Sequence, residues 1–243
     1  MILLATGSER SERTGNWELP GRRLRDRVAI ARYPEIMYRD RIDAGEKLAV
    51  ALSGMIDPDD RPLVLGIPRG GVPVAAVVAE RLNGDLDVLV AHKLGAPGNP
   101  EFAIGAVAED GSTFIDNRMV HHISEEYVRE ETARQLADVR RRAQTLRDGR
   151  QAIPIEGRVC IVVDDGVATG STLEASLRLV KRLGAAKVIA AVPVGPPDTI
   201  KRLSAAADDL VCPLQPKHFF AVGGWYETFD QVPDEDVAAL LDP

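Results

Sequence analysis

The sequence is poor in cysteine, in aromatic residues, in basic charge and in long apolar runs. It holds two cysteines in 243 residues, Cys160 and Cys212. Each lies in an apolar, strand-like run (RVCIVV, DLVCPL), and the pair has no metal-ligand spacing. Both therefore read as buried, reduced thiols, and a disulfide framework is not expected. No apolar run approaches the ~20 residues of a membrane span. The opening MILLATGSER has only a short apolar stretch with no basic region before it, a poor secretory signal. Lys and Arg number 30 against 37 Asp and Glu, a net charge of -7. That balance argues against binding nucleic acid or an anionic membrane through a broad basic face, while leaving room for a locally basic pocket. The four histidines lack ligand spacing, which disfavours a zinc site. A soluble cytoplasmic protein is expected.

What is present is enough apolar material, 45% of residues, for a substantial core. Residues 1–33 are rich in Arg, Glu, Ser and Gly without a sustained apolar period, and read as a mobile N-terminal extension. Residues 34–243 read as one domain, closed by an aromatic segment over 215–243. Helical spacing is expected over 44–55, 124–147, 172–183 and 198–207, and after a Pro/Gly turn up to residue 82. Short apolar strands are expected at 63–67, 87–91, 158–163, 187–194 and 209–213. Residues 94–101 (LGAPGNPE) read as loop, and 102–108 with 113–116 as a hairpin. Strands alternating with helices predict an α/β fold, a mainly parallel sheet flanked by helices.

Two strand-to-helix turns carry chemistry. In VVDDGVATGST a buried strand ends at Asp164-Asp165, and a small-residue loop then leads into a helix. Backbone N–H groups at a helix start form an anion site, glycine allows close approach, and Thr and Ser hydroxyls add donors. The ending differs from a Walker loop, which needs Gly-Lys-Ser/Thr. The second turn, GIPRGGVP, offers a forked donor, Arg69, beside Gly70 and Gly71. In open α/β sheets ligands bind outside the carboxyl ends of strands, so both turns belong on one rim.

Four apolar residues, two acids and a loop containing Thr-Gly and ending in Ser/Thr resemble the phosphoribosyl-pyrophosphate (PRPP) motif of the type I phosphoribosyltransferases. The Ile-Pro-Arg-Gly-Gly, His-Lys-Leu-Gly-Ala-Pro and aromatic-tail patterns look like a bacterial subgroup of predicted phosphoribosyltransferases. Some relatives are fused to a hydrolase domain, which is not expected within these residues. The resemblance spans about residues 38–222 and implies that fold, with a small C-terminal hood. It implies that Gly166, Val167, Ala168, Thr169, Gly170, Ser171 and Thr172 hold the ribose 5-phosphate. Asp164 and Asp165 would hold the ribose hydroxyls, directly or through water on Mg²⁺. Arg69 and Lys93 would meet pyrophosphate, with Gly70 and Gly71 in the same loop. Trp225, Tyr226 and Phe219 would stack on an acceptor ring or simply pin the tail to the core. Ala168 stands where 6-oxopurine enzymes usually carry a third Asp, which weighs against such an acceptor. The implied activity is Mg²⁺-dependent transfer of phosphoribose from PRPP to a nitrogen acceptor in a homodimer. The rival is a PRPP-sensing module without turnover. The charged helix over 124–147 and the His121-His122 pair read as surface or interface features.

Overall fold

The computed structural model describes residues 38–57, 60–116 and 120–242; the expected extension over 1–33 lies outside them. In chain order the elements are α1 (Arg41–Leu52), β1 (Leu63–Gly66), α2 (Gly71–Arg81), β2 (Asp85–Val88), β3 (Ala91–Ala96), β4 (Asn99–Ala108) and β5 (Thr113–Ile115). There follow α3 (Glu125–Arg147), β6 (Val159–Val163), α4 (Ser171–Arg182), β7 (Lys187–Ala191), α5 (Pro197–Leu203), β8 (Asp209–Val211) and α6 (Asp234–Leu241).

Five strands form a parallel sheet in the order β2-β1-β6-β7-β8. The chain builds outward one way from β1 and the other way from β6, so the switch point lies between these two neighbours. Alternate residues point to opposite faces. Leu63, Leu65, Cys160, Val162, Val188 and Ala190 join α4 and α5 in one core. Val64, Ile161, Val163, Ile189 and Ala191 join α1 and α2 in another. With both faces covered, the strands read as continuous apolar runs, as a parallel sheet requires. Burial pushes the Cys160 thiol up to about 11 and Cys212 to about 12, and both are free.

Helix starts follow local chemistry. The Asp40 carboxylate accepts the N–H of Asp43 at 2.8 Å, so α1 begins at Arg41, three residues earlier than its apolar period suggests. Ser124 caps α3 by accepting the N–H of Tyr127 at 3.2 Å. Among the described residues, no helix is long and apolar enough to cross a membrane.

One sequence expectation is corrected. Residues 94–101 are mostly strand rather than loop: β3, β4 and β5 form a separate three-stranded antiparallel sheet. Its β3–β4 connection is only Pro97-Gly98, with Gly98 at φ 73° between Ala96 and its partner Asn99. Proline followed by a left-handed glycine fits a tight turn, so the Gly and Pro content marks a hairpin tip. Val139, Ala143 and Leu146 of α3 pack on this sheet through Leu94, Ile104 and Val107, together with Val237 and Leu241 of α6.

Candidate active site

The PRPP-like loop follows β6. Its carbonyls at Ala168 and Thr169 are taken from the α5 side, by the Thr199 hydroxyl at 2.7 Å and by Arg202. In a trans peptide the next N–H points the opposite way. The N–H groups of Ala168, Thr169, Gly170, Ser171 and Thr172 donate to no backbone carbonyl among the described residues. They open at the start of the 12-residue α4, where the helix dipole favours an anion. Gly170 makes the entry in a left-handed conformation (φ 67°), and a Cβ there would lie 2.8 Å from Thr199 Cγ2. Val167 is buried, its N–H bound to the Val194 carbonyl at 2.9 Å, so it anchors the loop rather than lining an open surface. Gly166 is also buried.

The GIPRGG turn follows β1 and packs directly on the acid pair. A Cβ on Gly70 would sit 1.9 Å from Asp165 Oδ2, and one on Gly71 would sit 2.6 Å from the Val163 carbonyl. Only glycine permits this approach. The peptide between Pro68 and Arg69 is cis. The Arg69 side chain is 41% exposed, with Asp234 at 3.7 Å as a loose ion-pair partner.

The two acids are not equivalent. The Asp165 carboxylate is gripped by Arg41, with Nε and Nη2 each 2.9 Å from Oδ2. Arg41 also donates to the Asp230 carbonyl at 2.8 Å and lies 4.0 Å from the Phe229 ring centroid. The Tyr226 hydroxyl donates to the Asp165 carbonyl. Asp165 therefore ties α1, the pyrophosphate-type loop and the C-terminal segment together. Among the described residues, Asp164 receives only the N–H of Asp165, at 2.9 Å on Oδ1. Burial, and next the charge of Asp165, raise the Asp164 carboxyl well above its ordinary value. Burial also raises Asp165, against the pull of Arg41. Apart from Arg41 and each other, the two carboxylates are met by no side-chain donor among the described residues.

No group of three or more His, Cys, Asp or Glu side chains among the described residues could hold a metal. Two half-buried carboxylates with spare oxygens fit a magnesium ion that keeps its water and completes its shell with ligand oxygens. They do not fit a protein-only cage.

A cavity of about 700 Å³ opens beside these loops. Arg69, Lys93 and Thr172 line it from the rim, and Asp138, Arg141 and Arg142 of α3 form a facing wall. The structure thus brings Arg69, Lys93 and Thr172 into one space, and Gly70 carries the contact to Asp165. α3, read as a surface or interface feature, is exposed along most of its length and also walls this cavity.

The aromatic residues divide. Trp225 and Tyr226 are each 5% exposed and pack with Tyr38, Val194 and Leu214, so these two pin the tail to the core. Phe219 is half-buried and stacks on Trp225 at 6.3 Å, while Phe220 is 96% exposed. Burial of Trp225 and Tyr226 leaves those two rings no free face for an acceptor. Sequence reasoning did not single out Arg41, Thr199, Arg202 or Arg142. Arg41 is 124 residues from Asp165, and no local pattern joins them.

Residues 37–228 match the phosphoribosyl transferase domain family. The chain is 44% identical over 208 residues to “Putative phosphoribosyl transferase MT0597” of Mycobacterium tuberculosis (strain CDC 1551 / Oshkosh), covering 85% of this chain and 46% of that protein. It therefore spans about half the length of that curated relative. The crystal structure of TT1426 from Thermus thermophilus is 45% identical, with a TM-score of 0.81, over 85% of this chain and 98% of that one. The sequence motif, the parallel sheet with its two strand-end loops, and these likenesses agree: the chain belongs to the type I phosphoribosyltransferase family.

Proposed function

We propose that the protein transfers phosphoribose from PRPP to a nitrogen acceptor, a nucleobase or related ring, with release of pyrophosphate and with Mg²⁺ as cofactor. The contact of Gly70 with Asp165 carries this reading, because it sets an anion loop, an acid pair and Arg69 on one rim. The N–H groups of residues 168–172 and the hydroxyls of Thr169, Ser171 and Thr172 would bind the 5-phosphate. The spare oxygens of Asp164 and Asp165 would accept from the ribose diol and hold hydrated Mg²⁺. Bound there, the ion would offset negative charge on pyrophosphate. Breaking the anomeric C–O bond builds positive charge on the ribose and negative charge on the leaving group. Arg69 and Lys93 would stabilise the latter, and the fixed phosphate and diol would align the anomeric carbon. We further propose a homodimer.

A second reading, a PRPP-binding regulator without turnover, draws support from one observation. Trp225 and Tyr226, the rings offered by the sequence as an acceptor platform, are buried. Titration calorimetry with PRPP and Mg²⁺, followed by pyrophosphate release over a panel of nitrogen heterocycles, separates the two. Binding with release supports transfer, and binding without release for every heterocycle supports the regulator. If no heat is seen with PRPP and Mg²⁺ together, both readings are lost.

A further inference from the structure

α3 is laced with charge, and most of its arginines have work elsewhere. Arg129, Arg134 and Arg141 pair with the acids three residues earlier, Glu126, Glu131 and Asp138. Arg140 donates to the Glu109 carbonyl at 2.9 Å. Arg147 is buried against Asp87 and Glu109. Arg142 differs. It is exposed, its i−4 acid Asp138 is bound by Arg141 at 2.8 Å, and it has no carboxylate partner among the described residues. Its one hydrogen bond among the described residues is a long one, Nη2 to the Pro68 carbonyl at 3.5 Å. Pro68 immediately precedes Arg69 in the GIPRGG turn.

Arg142 also lines the 700 Å³ cavity, on the side facing the rim loops. The cavity gathers Arg69, His92, Lys93, Arg141 and Arg142, with Asp138 and Asp234 as its acids. Asp138 is engaged by Arg141, and Asp234 lies 3.7 Å from Arg69. Among the described residues, the guanidinium of this cavity left without a counter-charge is that of Arg142. A planar fork on a rigid 23-residue helix is a suitable second donor for a diphosphate already met by Arg69 across the space. The wall is set by packing, since Val139, Ala143 and Leu146, on the adjoining face of α3, lock the helix into the core.

We propose that Arg142 is a binding residue for the diphosphate group, so that α3 supplies a third wall to a site otherwise built from strand-end loops. This rests on the transfer or PRPP-binding reading above. The site accordingly takes its diphosphate between two arginines, one on a loop and one on a helix.

The test uses the full chain and calorimetry with pyrophosphate, PRPP, ribose 5-phosphate and inorganic phosphate, each with Mg²⁺. Arg142→Gln keeps most of the side chain and loses the charge. Arg142→Lys keeps the charge and loses the fork. Arg129→Gln, on the same helix but outside the cavity lining, is the control. Loss of a charged hydrogen-bonding partner predicts pyrophosphate and PRPP binding weaker by on the order of tenfold in Arg142→Gln. Arg142→Lys should recover part of it, and ribose 5-phosphate binding and the control should be unchanged. Pyrophosphate affinity equal to wild type in Arg142→Gln, with wild type binding PRPP normally, overturns the role of Arg142 alone. So does a loss confined to ribose 5-phosphate, which would put Arg142 at the other end of the ligand. If wild type binds none of the four, this inference and the proposed function fall together.

Discussion

Two carboxylates, one in and one just after the strands flanking β1, meet opposite circumstances. Asp87, in β2, is 4% exposed and fully answered. Arg147 Nε lies 2.7 Å from its Oδ1, and the N–H groups of Val88 and Ile153 donate at 2.7 and 2.8 Å. Arg147 also reaches Glu109 and donates to the Val88 carbonyl at 2.8 Å, completing a closed network. Asp164, after β6, has one N–H and a second carboxylate beside it, while the nearby cation Arg41 binds Asp165 instead. Charge that holds the fold together is answered from within the protein. On the proposed reading, charge placed at the switch point is left to be answered by a ligand, at a cost in stability.

The sharpest way to break this contrast is Arg147→Ala. It leaves Asp87 and Glu109 without their cation, and should destabilise the fold by about 3–5 kcal/mol in a denaturant titration. A loss below ~1 kcal/mol would mean that the network is not the tie described here. Gly70→Ala attacks the other side. Glycine φ at this position is -62°, so alanine strains no backbone, but its Cβ collides with Asp165. Displacing the acid pair against the rim predicts turnover lower on the order of 100-fold and, since Asp165 also ties α1 to the C-terminal segment, a modest fall in the thermal midpoint. Retained turnover would sever the link between the two loops.

Asp164→Asn should have a smaller effect on stability than Arg147→Ala, and of the opposite sign. Its carboxyl is raised above the ordinary 3.8 by burial and by Asp165, so the folded chain holds this proton more tightly than the unfolded one. Stability contributed by the protonated form is complete below that ordinary value and is lost as pH rises through the folded one. Asparagine removes the loss, and we expect a gain of about 1 kcal/mol at neutral pH, or ~2–4 °C, together with a flatter pH profile. PRPP affinity should fall in the same variant. In wild type that affinity should rise with pH across the window where stability declines. A variant less stable at neutral pH, or one whose stability keeps the wild-type pH slope, would place the origin of the slope elsewhere.

Much of this was legible because it is local. The run from Val162 to Thr172 holds a strand end, two acids and an anion loop in consecutive residues, and the strand and helix periods around it set the sheet. What the sequence hid is what folding brings together. Arg41 meets Asp165 across 124 residues, and Arg142 meets Pro68 across 74. Composition also blurs scale, since Pro97-Gly98 belongs equally well to a long loop or to a two-residue turn. Polar α3 reads as a solvated face because its few apolar positions say which side is buried, not what the polar side overlooks. The aromatic tail left two readings open because ring content does not reveal which way a ring points; packing against Tyr38 turns Trp225 and Tyr226 inward.

β1 and β6 are neighbours in register, Gly66 beside Val163, although about a hundred residues separate them in the chain. For a chain emerging from a ribosome, the first half of the rim is finished long before the second exists. The N–H of Ile67, just past β1, must wait for the Val163 carbonyl that it finally meets at 2.8 Å. A nascent chain stalled short of β6 therefore carries Arg69, Lys93 and Arg142 with neither the acid pair nor the anion loop, and on the proposed reading PRPP arriving during synthesis would find a complete rim only after α4 has left the exit tunnel.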